Sequence, residues 1–250
     1  MTGAVWTREH QLERAALLEE QVRRLQSRLF HKMFPEEGRF ARSGYPKHLE
    51  FFRAGAEYRE RALMAANRVG KTTAGAYEGT CHLTGLYPRW WEGKRFGGPV
   101  DAWAAGKTNE TTRDIIQATM FGPVQSAVGG QARSFAGTGM VPGDDLGQVS
   151  WRQGVTDLAD VIRVKHRNPA GEFDGWSTLG LKSYQQGRGS FEGTAKHFIW
   201  LDEEPPEDIY GECLIRTATT NGIVYATFTP LEGLTAVALS FLPAEQRPDF

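Results

Sequence analysis

Two stretches of the chain carry residue types whose spacing suits work on a bound triphosphate. In LMAANRVGKTTAG, Leu63 to Gly75, the residues Gly70, Lys71 and Thr72 match the end of a G-x-x-x-x-G-K-[ST] loop, while Ala65 stands where the first glycine belongs. In such a loop consecutive backbone N–H groups face the phosphates, the lysine reaches the same oxygens, and the hydroxyl binds Mg²⁺. The ATP contacts would then come from Asn67, Arg68, Val69, Gly70, Lys71, Thr72 and Thr73. A methyl group at Ala65 is tolerable if φ stays negative; Gly70 is the glycine that the backbone needs. The plainer reading is an ordinary helix N-terminus.

The second stretch is HFIWLDEEPP, an apolar run that ends in Asp202 and Glu203. It describes a buried strand delivering two carboxylates to its C-terminal edge, where open α/β sheets place ligands. Asp202 can hold Mg²⁺, directly or through water, and Glu203 can polarise an attacking water. An acidic helix start is the plainer reading here, and both can hold together.

Elements that could position these groups follow from patterning. Short apolar runs alternate with helical patterns from Leu63 onward, which predicts βαβ units and a mostly parallel sheet. Strands are predicted at Ala62 to Ala66, Val100 to Ala105, Val161 to His166, Thr178 to Ser183, His197 to Asp202 and Ile223 to Phe228, with helices after Lys71, Asn109, Glu207 and Glu232. The Gly-rich stretch between Gly122 and Trp151 yields no element and is expected to be a surface excursion or a mobile loop. Upstream, Leu18, Val22, Leu25 and Leu29 line one face of a predicted amphipathic helix, so residues 1–44 are expected to form an appendage and 45–250 the main domain.

Bulk properties narrow the class further. A chain of 250 residues with 40% hydrophobic content can pack a sizeable core. Cys81 and Cys213 lie in no C-x-x-C pattern, which speaks against a disulfide scaffold or zinc site and for a reduced, cytoplasmic setting. No run approaches the roughly 18 to 20 apolar residues of a membrane span, and the first residues lack a signal-peptide core. With a formal net charge of -1, any nucleic-acid binding must come from local basic patches.

Taken together, ANRVGKTTAGAYE, WAAGKTNETTRDII, GRGSFEGTAKHFIWLDEEPP and ATFTPLEG resemble the ATPase domain of the large terminase subunit of tailed double-stranded DNA bacteriophages, over roughly Tyr45 to Leu242. The resemblance implies an α/β, three-layer P-loop NTPase fold of the additional-strand, conserved-glutamate type. It implies ATP as substrate with Mg²⁺, and a motor that moves double-stranded viral DNA into a procapsid. It also implies a homo-oligomeric ring on the portal, a small terminase subunit as partner, and the cytoplasm of the infected bacterial host as location.

Residue by residue, the resemblance makes Thr227, Thr229 and Pro230 of TFTP a coupling motif that senses the terminal phosphate. Arg68, inside the loop, and Arg188, in QQGRGSFEG, become candidates for neutralising charge on the transferring phosphoryl group, Arg188 from a neighbouring subunit. The plainer account of Arg188 is a flexible, glycine-flanked surface arginine. YPKHLEFF matches a region that contacts adenine, usually through a glutamine; here His48 takes that place, leaving Tyr45 or Phe51 to stack, although Phe51 and Phe52 read more simply as core.

Basic residues Arg89, Lys94, Arg95 and Lys107, near the aromatic RWWEGKRF, could grip a DNA backbone, and Trp90 and Trp91 read as core or lid. Large terminases generally add a nuclease domain of the RNase H type. The chain ends at Phe250, so it is expected to be the motor domain alone, with GDD at Gly143 to Asp145 too isolated for a metal-dependent nuclease centre. Rival readings are a helicase-like, nucleic-acid-dependent ATPase and a nucleotide-binding assembly module with little turnover.

Overall fold

The computed structural model describes residues 7, 8, 10, 13–17, 29–125, 133–231, 233 and 235–242. Of the predicted amphipathic stripe, Leu18, Val22 and Leu25 lie outside the described residues, as does Glu232, and Leu29 opens a four-residue helix, α1 (Leu29–Lys32). Further helices among the described residues include α2 (Pro46–Ala54), α3 (Lys71–Thr84), α4 (109–121, with a π turn at Thr112–Gln117), α5 (Glu207–Ala218) and α6 (Ala236–Ser240). The strands are β1 (Glu60–Met64), β2 (Asp101–Gly106), β3 (Val124–Gln125), β4 (Ser134–Phe135), β5 (Leu146–Trp151), β6 (Ala159–Arg167), β7 (Phe173–Ser183), β8 (Phe198–Asp202) and β9 (Ile223–Phe228).

Seven strands form one sheet in the order β1-β9-β8-β2-β7-β6-β5. The strands from β1 to β7 in that order run parallel, and β6 and β5 extend the sheet antiparallel. β9 therefore lies between the strand that feeds the glycine loop and the strand that ends in Asp202. That insertion is the additional-strand layout.

Alternation along the central strands builds a core on each face, as expected for parallel strands covered on both sides. On one face Ala102, Ala104, Phe198, Trp200 and Tyr225 meet Ala74, Tyr77 and Cys81 of α3. On the other, Trp103, Ile199, Leu201, Val224 and Phe228 meet Ile209 and Cys213 of α5 and Val237 of α6. Three layers result. Glycines in left-handed conformation bound α3 at each end, Gly70 at φ 85° and Gly85 at φ 71°.

Two differences from the sequence reading have clear causes. The first strand starts at Glu60 rather than Ala62, because buried Arg61 is paired with fully buried Glu78 of α3 and donates to the Phe51 carbonyl at 3.0 Å. Burial pushes Glu78 up, but Arg61 and His82 outweigh it and hold its carboxyl below the usual range. The second concerns the described residues between Gly122 and Trp151, 122–125 and 133–151, which do form elements: Phe135, Met140 and Val141 are buried, β3 pairs with β4, and β5 forms the sheet edge. Asp145, in a short turn over Gly143–Asp145, is buried against Arg167.

Candidate active site

Parallel strands end on the same side, so the loops leaving Met64, Gly106, Ser183, Asp202 and Phe228 gather along one sheet edge. There Thr72, at the start of α3, donates its hydroxyl to Asp202, 3.0 Å from Oδ1 and 3.1 Å from Oδ2, across 130 positions of sequence. Beside it the Lys71 ammonium donates to the Ala66 carbonyl and to Thr229 Oγ1, both at 2.8 Å. Partial burial lowers the Lys71 pKa, and the charges of Glu203 and Asp202 oppose that shift. The loop lysine, the hydroxyl and the first acid thus share one site.

The backbone between Asn67 and Gly70 is shaped for close approach. Arg68 sits at φ 64° and Gly70 at φ 85°, while Ala65 is not among the residues with positive φ, so its methyl group is accommodated. No side chain caps α3, which leaves its first N–H groups for an anion. Arg68 and Val69 are exposed above it, and Thr73 is half-buried on the first turn. Thr229 accepts from Lys71 and offers its one proton to Asn67 Oδ1 at 2.8 Å or the Ala65 carbonyl at 2.9 Å. Pro230 follows at once, so the TFTP segment touches the loop directly.

Asp202 is held from two sides. Thr227 lies opposite it in register and donates to Oδ1 at 2.7 Å. Burial nevertheless pushes the Asp202 carboxyl up to about 6, against the hydroxyls of Thr227 and Thr72. A hydroxyl and a buried carboxylate lacking a full counter-charge are hard oxygen donors of the kind Mg²⁺ takes alongside phosphate oxygens. The residues fit that ion.

This shift carries a stability consequence. Between about pH 4 and 6 the fold holds a proton that an unfolded aspartate, near 3.8, has released. The Asp202 contribution is therefore most favourable below pH 4 and is lost as the pH rises through about 6, on the order of 2–3 kcal/mol. Asp202→Asn is expected to melt higher than wild type at pH 7.5 without nucleotide, and nearly level with it at pH 4. Equal melting differences at both pH values would contradict the assignment.

Glu203 leaves the strand with φ 72°, an uncommon conformation for a non-glycine residue. Its N–H donates to the Thr227 carbonyl at 3.0 Å, and its carbonyl accepts from the Tyr184 hydroxyl at 2.9 Å. The turn directs the exposed Glu203 into an open cleft of about 650 Å³, shared with Lys107, Thr229 and the Tyr184 ring. Tyr184 was missed by sequence reasoning, although its place just after a strand end is the signal that could have found it.

The other predicted residues have partners of their own. Arg188 donates to Glu212 Oε2 of α5 at 3.0 and 3.2 Å, and its segment is pinned by Lys182 Nζ on the Ser190 carbonyl at 2.6 Å and by buried Phe191. Its side chain is 54% exposed, so the arginine stands at the surface with Glu212 as its partner. His48 hydrogen-bonds to the backbone at Val69 and Gly70 and so braces the loop; burial lowers its pKa. Tyr45 packs on His48 and Phe34, and Phe51 and Phe52 are core, as expected. Trp91 is buried with its indole on the Lys94 carbonyl, and Arg95 stacks on Tyr87, beyond the far end of α3 from the site. No helix among the described residues is long and apolar enough to cross a membrane.

Comparison with known proteins gives this arrangement a family. Over 248 residues the chain is 37% identical to the terminase large subunit of Salmonella phage P22, covering 94% of this chain and 46% of the relative. Among solved structures, the large terminase ATPase domain of Thermus phage P74-26 aligns at 15% identity and a TM-score of 0.48, covering 73% of this chain and 63% of that one. The HK97 bacteriophage large terminase aligns at 12% identity and a TM-score of 0.46, covering 78% and 35%. The chain spans just under half the length of its phage P22 relative. Residues 62–248 match the model of the terminase large subunit, T4likevirus-type, N-terminal, and the chain belongs to that family.

Proposed function

We propose that this chain is the ATP-hydrolysing motor of a viral genome-packaging terminase and that it drives double-stranded DNA into a procapsid. The observation that carries the reading is the meeting of Thr72 with Asp202 beside Lys71, which makes one site of a loop and an acid pair far apart in sequence.

The loop from Asn67 to Gly70 and the N-terminus of α3 cradle the phosphates, and Lys71 exchanges its loop partners for phosphate oxygens. Thr72 and Asp202 would hold Mg²⁺, which would supply charge neutralisation for the bound phosphates. Glu203 accepts a hydrogen bond from the attacking water and draws off its proton as the water oxygen bonds to the γ-phosphorus and the bond to the β,γ-bridging oxygen breaks, so that ADP and phosphate leave. Thr229 loses its partner Lys71 when the triphosphate takes that ammonium, which supports a coupling role for Thr227, Thr229 and Pro230. Arg68 reaches the terminal phosphate from within the loop; Tyr45 and His48 border the adenine.

Arg188, half-exposed at the surface, exchanges Glu212 for the site of a neighbouring subunit in a homo-oligomeric ring. Family membership also supports a portal-bound ring, a small terminase subunit, a nuclease domain elsewhere in the full protein, and action in the host cytoplasm. Mixing Arg188→Ala with Lys71→Ala protein is expected to restore part of the ATPase activity that each lacks alone. Absence of any rescue at concentrations where the wild type assembles would sink the intersubunit role.

The function itself is tested by phosphate release from the chain with and without duplex DNA, together with strand separation on a forked duplex. Mg²⁺-dependent release without unwinding is the expected result. Unwinding would favour a helicase, and negligible release would favour a binding module.

A further inference from the structure

The carboxylate of Asp202 is oriented by a chain of donors that begins inside the core. Trp200, two residues earlier on β8, is fully buried, and its indole N–H donates to Thr227 Oγ1 at 2.8 Å. Thr227 is itself 1% exposed and donates to Asp202 Oδ1 at 2.7 Å. An indole nitrogen can only donate, so it occupies a lone pair of the threonine oxygen and leaves that hydroxyl's single proton for Asp202. The polarity of the chain has one sense, from tryptophan to threonine to carboxylate.

The same indole packs closely against the helix that carries Lys71 and Thr72. A Cβ at Gly75 would lie 2.4 Å from Trp200 Nε1, so the ring fits only because this position of α3 is glycine. Tyr225 stacks on Trp200 with centroids 6.4 Å apart, and its hydroxyl donates to the Gly75 carbonyl at 3.1 Å. A phenylalanine would fill much of this space without an N–H to satisfy. The tryptophan brings a buried donor, and that donor meets Thr227, the buried one of the two hydroxyls that hold the acid.

We propose that Trp200 is a positioning residue which, through Thr227, fixes the orientation of Asp202 toward the Mg²⁺ of a bound nucleotide and so sets Mg²⁺ affinity. The inference rests on the assignment of Thr72 and Asp202 as the metal site. Partners one step removed from a metal ligand typically hold about 10–100-fold in affinity, and a single neutral hydrogen bond a smaller factor.

The test is Mg²⁺-dependent ATP binding by calorimetry on Trp200→Phe, Thr227→Val, Thr227→Ser and the Trp200→Phe/Thr227→Val double variant. Half-saturating Mg²⁺ is expected to rise roughly 3–10-fold in Trp200→Phe and about tenfold or more in Thr227→Val. Thr227→Ser should restore it, and the double variant should match Thr227→Val because both changes break one chain. Independent, multiplying losses, or a folded Trp200→Phe with wild-type Mg²⁺ dependence, would overturn the proposal.

Should Trp200→Phe fail to fold, the indole N–H resonances of the wild type decide. The resonance displaced most by Thr227→Val is expected to move when Mg²⁺ is added to the ATP-bound protein, and its immobility would overturn the proposal. Failure of the site assignment looks different: Thr72→Ala would then leave Mg²⁺-dependent binding intact.

Discussion

Lys71→Ala is expected to lose ATP turnover by about 10²–10³-fold and to bind ATP more weakly, with the fold intact. The magnitude is that of removing one pre-positioned donor from a site where phosphate charge must be neutralised. Among the described residues, Lys71 bonds to the Ala66 carbonyl and Thr229, so its removal disturbs the loop rather than the core. Phosphate release and ATP calorimetry on a variant with an unchanged melting temperature check this. Wild-type turnover would remove the lysine from the mechanism.

Glu203→Gln is expected to behave differently, keeping ATP affinity while turnover falls by about 10²–10⁴-fold, the range for loss of a general base. The glutamine preserves volume and can hold the same turn, whose φ of 72° is supported through the backbone by Thr227 and Tyr184. It cannot take up the water's proton. A single-turnover measurement with bound ATP separates this from weakened binding, and normal hydrolysis by Glu203→Gln would show that another group activates the water. The two variants together distinguish holding the triphosphate from cleaving it.

Much of this site was legible because its residues are local signals at strand ends. The glycine before Lys71, the hydroxyl after it and the two acids closing an apolar run each announce themselves within a few positions. Strand β8 matched its predicted bounds to within one residue for the same reason, being apolar on both faces.

What stayed hidden depends on partners far away in the chain. Glu60 and Arg61 read as polar residues outside a strand, yet Arg61 enters the core because Glu78 awaits it on α3. Gly147 and Gln148 interrupt any apolar pattern in β5, and only pairing with β6 makes that segment a strand. The glycines around Arg188 said nothing of its surroundings, whereas Lys182, Phe191 and Glu212 make contacts to the segment that no local pattern records. Trp200 looked like one more apolar residue of its strand; its role depends on Thr227, Gly75 and Tyr225 together.

The most direct test of the account is a crystal structure of the chain with Mg²⁺ and a non-hydrolysable ATP analogue. The triphosphate is expected against the backbone of Asn67 to Gly70, with Lys71 on its terminal oxygens, the ion between Thr72 and Asp202, and Glu203 facing the γ-phosphate across the open cleft. An analogue bound elsewhere, or an ion that touches neither Thr72 nor Asp202 even through water, would contradict it.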